Sequence, residues 1–253
     1  MSWIEVYHRY FIPRVCGGCR EVLPYPQSNG AFCPSCRLIY DRAKTESCPT
    51  CFCAMSECLC VPDSLRAYEP IGLCKLFRYN PRRTYLPHNR VLYVIKKQPI
   101  RRYMRYFSTD LAPIILRSLK KAGVKDPASE AILVSIPRSP RSKIKWGFDQ
   151  SEETGRLLSE LTGIPYAEGI LRRRWGGREQ KKLSKEEREE NLKGLLYLKE
   201  EAPFSGKTVV LFDDIVTTGA SLRAALPLLQ KAGARQFLLA SFAVTKEEKR
   251  TRV

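Results

Sequence analysis

Residues 209–221 read VVLFDDIVTTGAS. An apolar run delivers two adjacent carboxylates, Asp213 and Asp214, and then a short turn of small and hydroxyl-bearing residues, Thr217, Thr218, Gly219, Ala220 and Ser221. Adjacent carboxylates repel each other, so their use lies in a partner that wants two acceptors. Vicinal hydroxyls are such a partner, and a divalent ion is the alternative. The three hydroxyls and the N–H groups of a helix start suit a phosphate, and Gly219 lets the backbone close around it. The Gly-Lys-Ser/Thr of a P-loop is absent. The carboxylates cannot face the phosphate themselves, so the stretch describes a phosphate with a diol beside it, as in a ribose 5-phosphate.

Cysteines form a second chemical group. Cys16-Gly-Gly-Cys19 and Cys33-Pro-Ser-Cys36 are CxxC pairs thirteen residues apart, a spacing that can set four thiolates tetrahedrally around one zinc. Gly17 and Gly18 allow the tight turn this needs. Four thiolates leave no position for water, which predicts a structural rather than a catalytic zinc. Cys48 and Cys51, followed by Cys53, Cys58 and Cys60, offer a second zinc site. Cys48 and Cys51 are its firmer half, Cys58 and Cys60 complete it, and Cys53 competes for the same role. Cys74, among apolar residues, suits a core thiol.

The elements that must position these groups follow from hydrophobic pattern. Ala131–Ile136, Thr208–Phe212 and Gln236–Val244 are short apolar runs of the kind buried in parallel sheets. Ser151–Leu161 and Ala220–Ala232 show helical periodicity between them, ended by Gly163 and Gly233, with Pro227 expected to kink the second. Alternating strands and helices predict βαβ units, with the ligand at the carboxyl ends of the strands, where Asp213 and Asp214 stand. Asp110–Lys121 is predicted as a helix, while Val91–Ile95 suits strand or helix. These patterns divide the chain into a cysteine-rich module (1–62), a basic and aromatic connecting region (63–130) and an α/β domain (131–253).

Ten cysteines in a chain with no secretory signal between Met1 and Arg14, and no apolar run of membrane-spanning length, point to a reduced, cytoplasmic protein. The net charge of +18 is uneven: residues 78–121 carry twelve Lys/Arg against one acid, Asp110, and Arg138–Lys145 and Arg172–Lys182 are also basic. Such a field attracts phosphorylated metabolites or nucleic acid. Seven aromatics between Phe77 and Phe107 interleave with the arginines, as in single-strand binding grooves, although tyrosines at helical spacing more often pack a core.

VVLFDDIVTTGAS resembles the phosphoribosyl-pyrophosphate (PRPP) motif of type I phosphoribosyltransferases, and with Cys16 to Cys36 the whole chain is similar to the ComF family. SIPRSPRSKIKWGFDQS (135–151) resembles a family stretch ending Arg-Gly-Phe-Asn-Gln, with Trp146 in place of the Arg and Asp149 in place of the Asn. Gln180, Leu183, Arg188, Asn191 and Gly194 match a further family run. The resemblance implies an α/β type I phosphoribosyltransferase-like parallel sheet flanked by helices, behind a zinc-ribbon module. It implies that Asp213 and Asp214 hold the ribose hydroxyls, that Thr217 to Ser221 wrap the 5-phosphate, and that Pro137 to Arg141, with Arg141 and Lys143, meets the pyrophosphate. Arg172 to Gln180 takes the place of the mobile loop, whose Arg172 and Arg174 would stabilise the departing pyrophosphate. Mg²⁺ would accompany PRPP. Several purine phosphoribosyltransferases carry an acid where Thr217 stands, so purine salvage is disfavoured while PRPP binding is untouched. The family also implies a part in competence and DNA uptake, among DNA-uptake proteins. The alternative is a non-enzymatic module that binds single-stranded DNA and only senses a ligand in the pocket.

Overall fold

The computed structural model describes residues 14–23, 30–176, 194–199 and 204–245. Helix α1 (Pro34–Thr45) starts with a proline, which loses nothing at a helix's first turn, directly after Cys33. Two three-residue strands follow, β1 (Gly72–Cys74) and β2 (Phe77–Tyr79). Val91–Ile95 resolves as helix, within α2 (Pro87–Ile95). Helix α3 runs from Arg101 to Lys121, nine residues earlier than its expected start at Asp110. Tyr103, Met104, Phe107, Ser108 and Leu111 are buried along it, so the aromatics ahead of Asp110 continue the same apolar face.

The α/β part comprises β3 (Ala131–Ser135), α4 (Pro140–Trp146), α5 (Gln150–Thr162), β4 (Leu171–Arg173), β5 (Leu196–Leu198), β6 (Thr208–Val216), α6 (Ala220–Lys231) and β7 (Gln236–Thr245). Strands β3, β6 and β7 pair in parallel in the order β7-β6-β3, and β1 and β2 both add in parallel to the outer edge of β7. Strands β4 and β5 form a separate antiparallel pair.

The expected strand Thr208–Phe212 is longer than its apolar run, because β7 offers partners further along. Asp213 pairs with Ser241, Ile215 with Ala243 and Val216 with Val244. The aspartates therefore lie within a strand rather than just beyond one. Helix α6 continues through Pro227 to Lys231.

Two apolar cores cover the sheet's faces, as the alternation of strand side chains dictates. Val210 and Phe212 join α2, α3 and α5 on one face, through residues such as Leu92, Phe107, Ile115 and Leu157. Val209 and Leu211 join Leu65, Leu222, Leu226 and Leu229 on the other. Phe77, Tyr103 and Phe107 of the aromatic-basic segment are buried, with Tyr40 of α1 packed 5.8 Å from Phe77 and 5.4 Å from Phe107 between ring centroids. They serve the core, whereas Tyr85 and Tyr93 stay exposed.

Many cations of this segment also tie layers together. Arg90 donates to the Gly18 carbonyl, Arg102 to that of Val15, and Arg101 and Arg105 pair with Glu160 of α5. Asp110 accepts from Tyr40 and Lys44. No helix among the described residues is long and apolar enough to cross a membrane.

Candidate functional site

A cleft of about 930 Å³ opens over the carboxyl ends of β3 and β6, the expected place for a ligand in a parallel sheet. A smaller groove of about 410 Å³ lies beside α1 and α3, but its acids Asp41 and Asp110 already hold Lys44.

Period-two alternation sends the two aspartates of β6 toward different layers. Asp213 faces Arg173 of β4, and Asp214 faces α2 and α5, where its Oδ2 meets Lys96 Nζ at 3.0 Å and accepts from Gln150 Nε2 at 3.1 Å. Each carboxylate also accepts the amide of the next residue, Asp213 Oδ1 from Asp214 N at 2.9 Å and Asp214 Oδ1 from Ile215 N at 2.7 Å. Burial and the neighbouring Asp214 charge push the Asp213 pKa up to about 8, against the pull of Lys96 and Arg173. Burial alone would lower the Lys96 pKa, but Asp214 outweighs it and holds the ammonium charged.

The turn Thr217–Ser221 lines the same cleft. Gly219 is the N-cap of α6, at φ +73°, and no strong side-chain cap occupies the helix start. Ala220 N makes only a long bond to Thr218 Oγ1, at 3.4 Å, so the first-turn N–H groups can turn to an anion. A Cβ on Gly219 would lie 2.9 Å from Leu65 Cδ1, and Ser64 Oγ donates to the Thr218 carbonyl at 2.8 Å. The turn Asp63–Tyr68, leaving the cysteine region, therefore buttresses the Thr217–Ser221 turn from behind. Sequence reasoning assigned no part to Ser64 or Leu65.

The turn after β3 supplies the cleft's other wall. Arg138 and Arg141 line it, and Arg138 N donates to Asp149 Oδ2 at 3.1 Å while Arg138 Nη2 donates to the Lys96 carbonyl at 2.6 Å. Asp149 caps α5 by accepting from Ser151 N and Glu152 N. Asp and Asn cap about equally well, which explains why Asp149 can stand where the family stretch has Asn. Lys143 is placed differently from Arg141: it pairs with Asp149 at 2.9 Å and Glu152 at 2.7 Å and does not line the cleft. Of Arg172, Arg173 and Arg174, Arg173 lines the cleft. Arg172 donates to the Gly169 carbonyl, and Arg174 lies over the Tyr197 ring at 5.3 Å. Gln180, Lys182, Leu183, Arg188 and Asn191 lie outside the described residues.

Among the residues around the aspartate pair, Lys96, Gln150 and Arg173 are ones that sequence reasoning did not single out. Gln150 had a signal, as the last residue of the Gly-Phe-Asp-Gln stretch, whereas Arg173 stands in a run of three arginines with no alternation to mark it. Nothing in the sequence separated Lys96 from the other cations around it.

The cysteines converge as spaced. The sulfurs of Cys16, Cys19, Cys33 and Cys36 all lie within 4.8 Å of one another, and so do those of Cys48, Cys51, Cys58 and Cys60. Tetrahedral Zn–S bonds would require about 3.8 Å, so both sets could hold a metal ion. The amides of Gly18 and Cys33 donate to Cys16 Sγ at 3.3 Å, which favours a thiolate. Gly18 is required for room: a Cβ there would meet Cys36 Sγ at 2.6 Å. Cys53 stays out of the second set, and its carbonyl accepts from Cys48 N at 2.8 Å. Lys75, 3% exposed on the β1–β2 connection, donates to the carbonyls of Cys58, Cys60 and Leu73.

The phosphoribosyl transferase domain family matches residues 154–253. Competence protein ComFC of Streptococcus pneumoniae (strain R6) is 26% identical over 82% of this chain and 84% of its own length. DNA utilization protein YhgH of Salmonella typhimurium (strain LT2) is 26% identical over 88% and 93%. Amidophosphoribosyltransferase of Methanothermobacter thermautotrophicus is 31% identical over 45% of this chain, a match spanning only 21% of that enzyme.

Proposed function

We propose that this protein, a ComF-family member built on a phosphoribosyltransferase-type domain, binds PRPP over β6 and transfers its phosphoribosyl group to an acceptor. One observation carries the reading: the carboxylate pair, the phosphate turn at the start of α6, and the cations Arg138, Arg141 and Arg173 line one cleft.

Asp213 and Asp214 accept the ribose hydroxyls. The first-turn amides of α6 and the hydroxyls of Thr217, Thr218 and Ser221 hold the 5-phosphate. Arg138 and Arg141 then face the pyrophosphate, with Arg173 beside Asp213. Arg138 and Arg141 would share the neutralisation of the pyrophosphate with a Mg²⁺ bound alongside PRPP. As the C1–O bond breaks, negative charge grows on the leaving pyrophosphate and positive charge on the ribose. Fixed arginines stabilise the first, and the Asp214 carboxylate, joined by Asp213 once it has lost its proton, stabilises the second. Thr217 offers no acid or base at neutral pH, so the acceptor must bring its own nucleophile or find its base elsewhere in the cleft. The two cysteine sets would hold structural zinc, which would fix the module behind the Thr217–Ser221 turn.

The names of the two relatives matched over most of the chain support a role in competence or DNA utilization. A second reading, single-stranded DNA binding, is favoured by the rim of the cleft, where Tyr93, Trp146 and Trp175 stand among Lys97 and Lys145. Pyrophosphate release from PRPP, tested with common bases and amines, checks the enzymatic reading. No release with any acceptor, combined with salt-dependent binding of labelled single-stranded DNA, would favour the second.

A further inference from the structure

Lys96 follows α2 and lies outside the 154–253 match, so that match assigns it no part. Its ammonium and the Gln150 amide both donate to Asp214 Oδ2. Two donors fill the lone pairs of that oxygen, so a ribose hydroxyl that reaches it must displace one of them. Gln150 is 1% exposed in the first turn of α5 and is held by packing. The Lys96 side chain is 40% exposed on a flexible stem and is the donor able to leave. Its backbone fixes where it can go: the Lys96 carbonyl accepts from Arg138 Nη2 at 2.6 Å, beside the turn that faces the pyrophosphate in the reading above.

We infer, resting on the PRPP reading, that Lys96 is a transferable cation: the ribose diol displaces its ammonium from Asp214, and the pyrophosphate of the same ligand receives it. The residue thereby makes the cleft distinguish a ribose that carries pyrophosphate from one that does not. Ribose 5-phosphate breaks the Lys96–Asp214 pair and offers the ammonium no anion in return, whereas PRPP breaks the pair and replaces it. Discrimination then comes from a penalty on the wrong ligand as well as from a contact to the right one.

The test is calorimetric titration of the full chain, metal-loaded, with PRPP plus Mg²⁺ and separately with ribose 5-phosphate, for wild type, Lys96→Met and Lys96→Arg. Lys96→Met should bind PRPP about tenfold more weakly, the worth of one charge-assisted contact. It should bind ribose 5-phosphate about threefold more tightly, the worth of a half-exposed ion pair. Lys96→Arg should keep most of the preference. If both affinities in Lys96→Met change by the same factor in the same direction, or neither changes, Lys96 does not discriminate and the inference is overturned while PRPP binding stands. If the wild type binds neither ligand, the inference falls together with the PRPP reading.

Discussion

Replacing Gly219 with alanine should damage the fold and the phosphate turn together. Gly219 has φ +73°, and an added Cβ would lie 2.9 Å from Leu65 Cδ1 and 3.0 Å from Leu65 Cγ. The left-handed backbone costs an alanine about 1–2 kcal/mol. Leu65 is fully buried and cannot move aside without disturbing its neighbours, so overpacking adds about 1–3 kcal/mol. The expected loss is therefore about 2–5 kcal/mol, a large share of an ordinary domain's stability. Urea unfolding followed by circular dichroism measures it. Leu65→Ala removes the clashing atoms at its own cost, so in that background Gly219→Ala should cost only the backbone part, about 1–2 kcal/mol. A Gly219→Ala variant within about 0.5 kcal/mol of wild type would refute the reasoning. So would a cost that is the same with and without the Leu65 side chain, because the strain would then not arise where the turn Asp63–Tyr68 meets the phosphate turn.

The two cysteine sets predict about two equivalents of zinc per chain by metal analysis. Cys58→Ser should lose one and Cys53→Ser neither, and under about half an equivalent in the wild type would rule out the zinc assignment. Lys75→Met leaves three carbonyls without their donor and removes a cation beside a set of thiolates. It should lower stability by about 3 kcal/mol and make the second metal easier for a chelator to extract; unchanged melting and extraction would contradict that role. Asp213 has its folded pKa raised to about 8 by burial and Asp214, with Lys96 and Arg173 opposing. The folded state thus holds a proton that the unfolded state releases near pH 4, and stability falls as pH rises between about 4 and 8. Asp213→Asn should match wild type near pH 4 and be more stable at pH 8 in metal-free buffer, and a gap that stays constant across that range would show that the carboxylate is not buried as described.

The α/β strands and helices were legible because each carries its own periodicity and a glycine stop, and the cysteine sets because their spacing is local. The carboxylate pair and phosphate turn are contiguous, which is why they could be assigned together. What the sequence hid depends on contacts between distant segments. Strands β1 and β2 are three residues each, interrupted by Lys75 and Leu76, and are strands only because β7 offers them an edge. Strand β6 outruns its apolar stretch for the same reason. The cations posed the hardest problem: Arg90, Arg101, Arg102 and Arg105 bind the cysteine module and α5, while Lys96, Arg138, Arg141 and Arg173 face the cleft. Only the fold separates the two groups. Arg173 shows it on a small scale, since its neighbours Arg172 and Arg174 carry the same charge and differ only in where the strand turns them.

The most direct test of the account is the affinity for PRPP with Mg²⁺ of the wild type and of Asp213→Asn/Asp214→Asn, both metal-loaded and at pH 9, above the Asp213 pKa of about 8. Asparagine can still accept the backbone amides that each aspartate holds, so the fold should survive while two charged acceptors are lost. The account predicts saturable binding of one PRPP per chain in the wild type and a loss of about a hundredfold or more in the double variant, at about 1.5–3 kcal/mol for each charged hydrogen bond. Binding that is absent in the wild type, or equal in the two proteins, would contradict it.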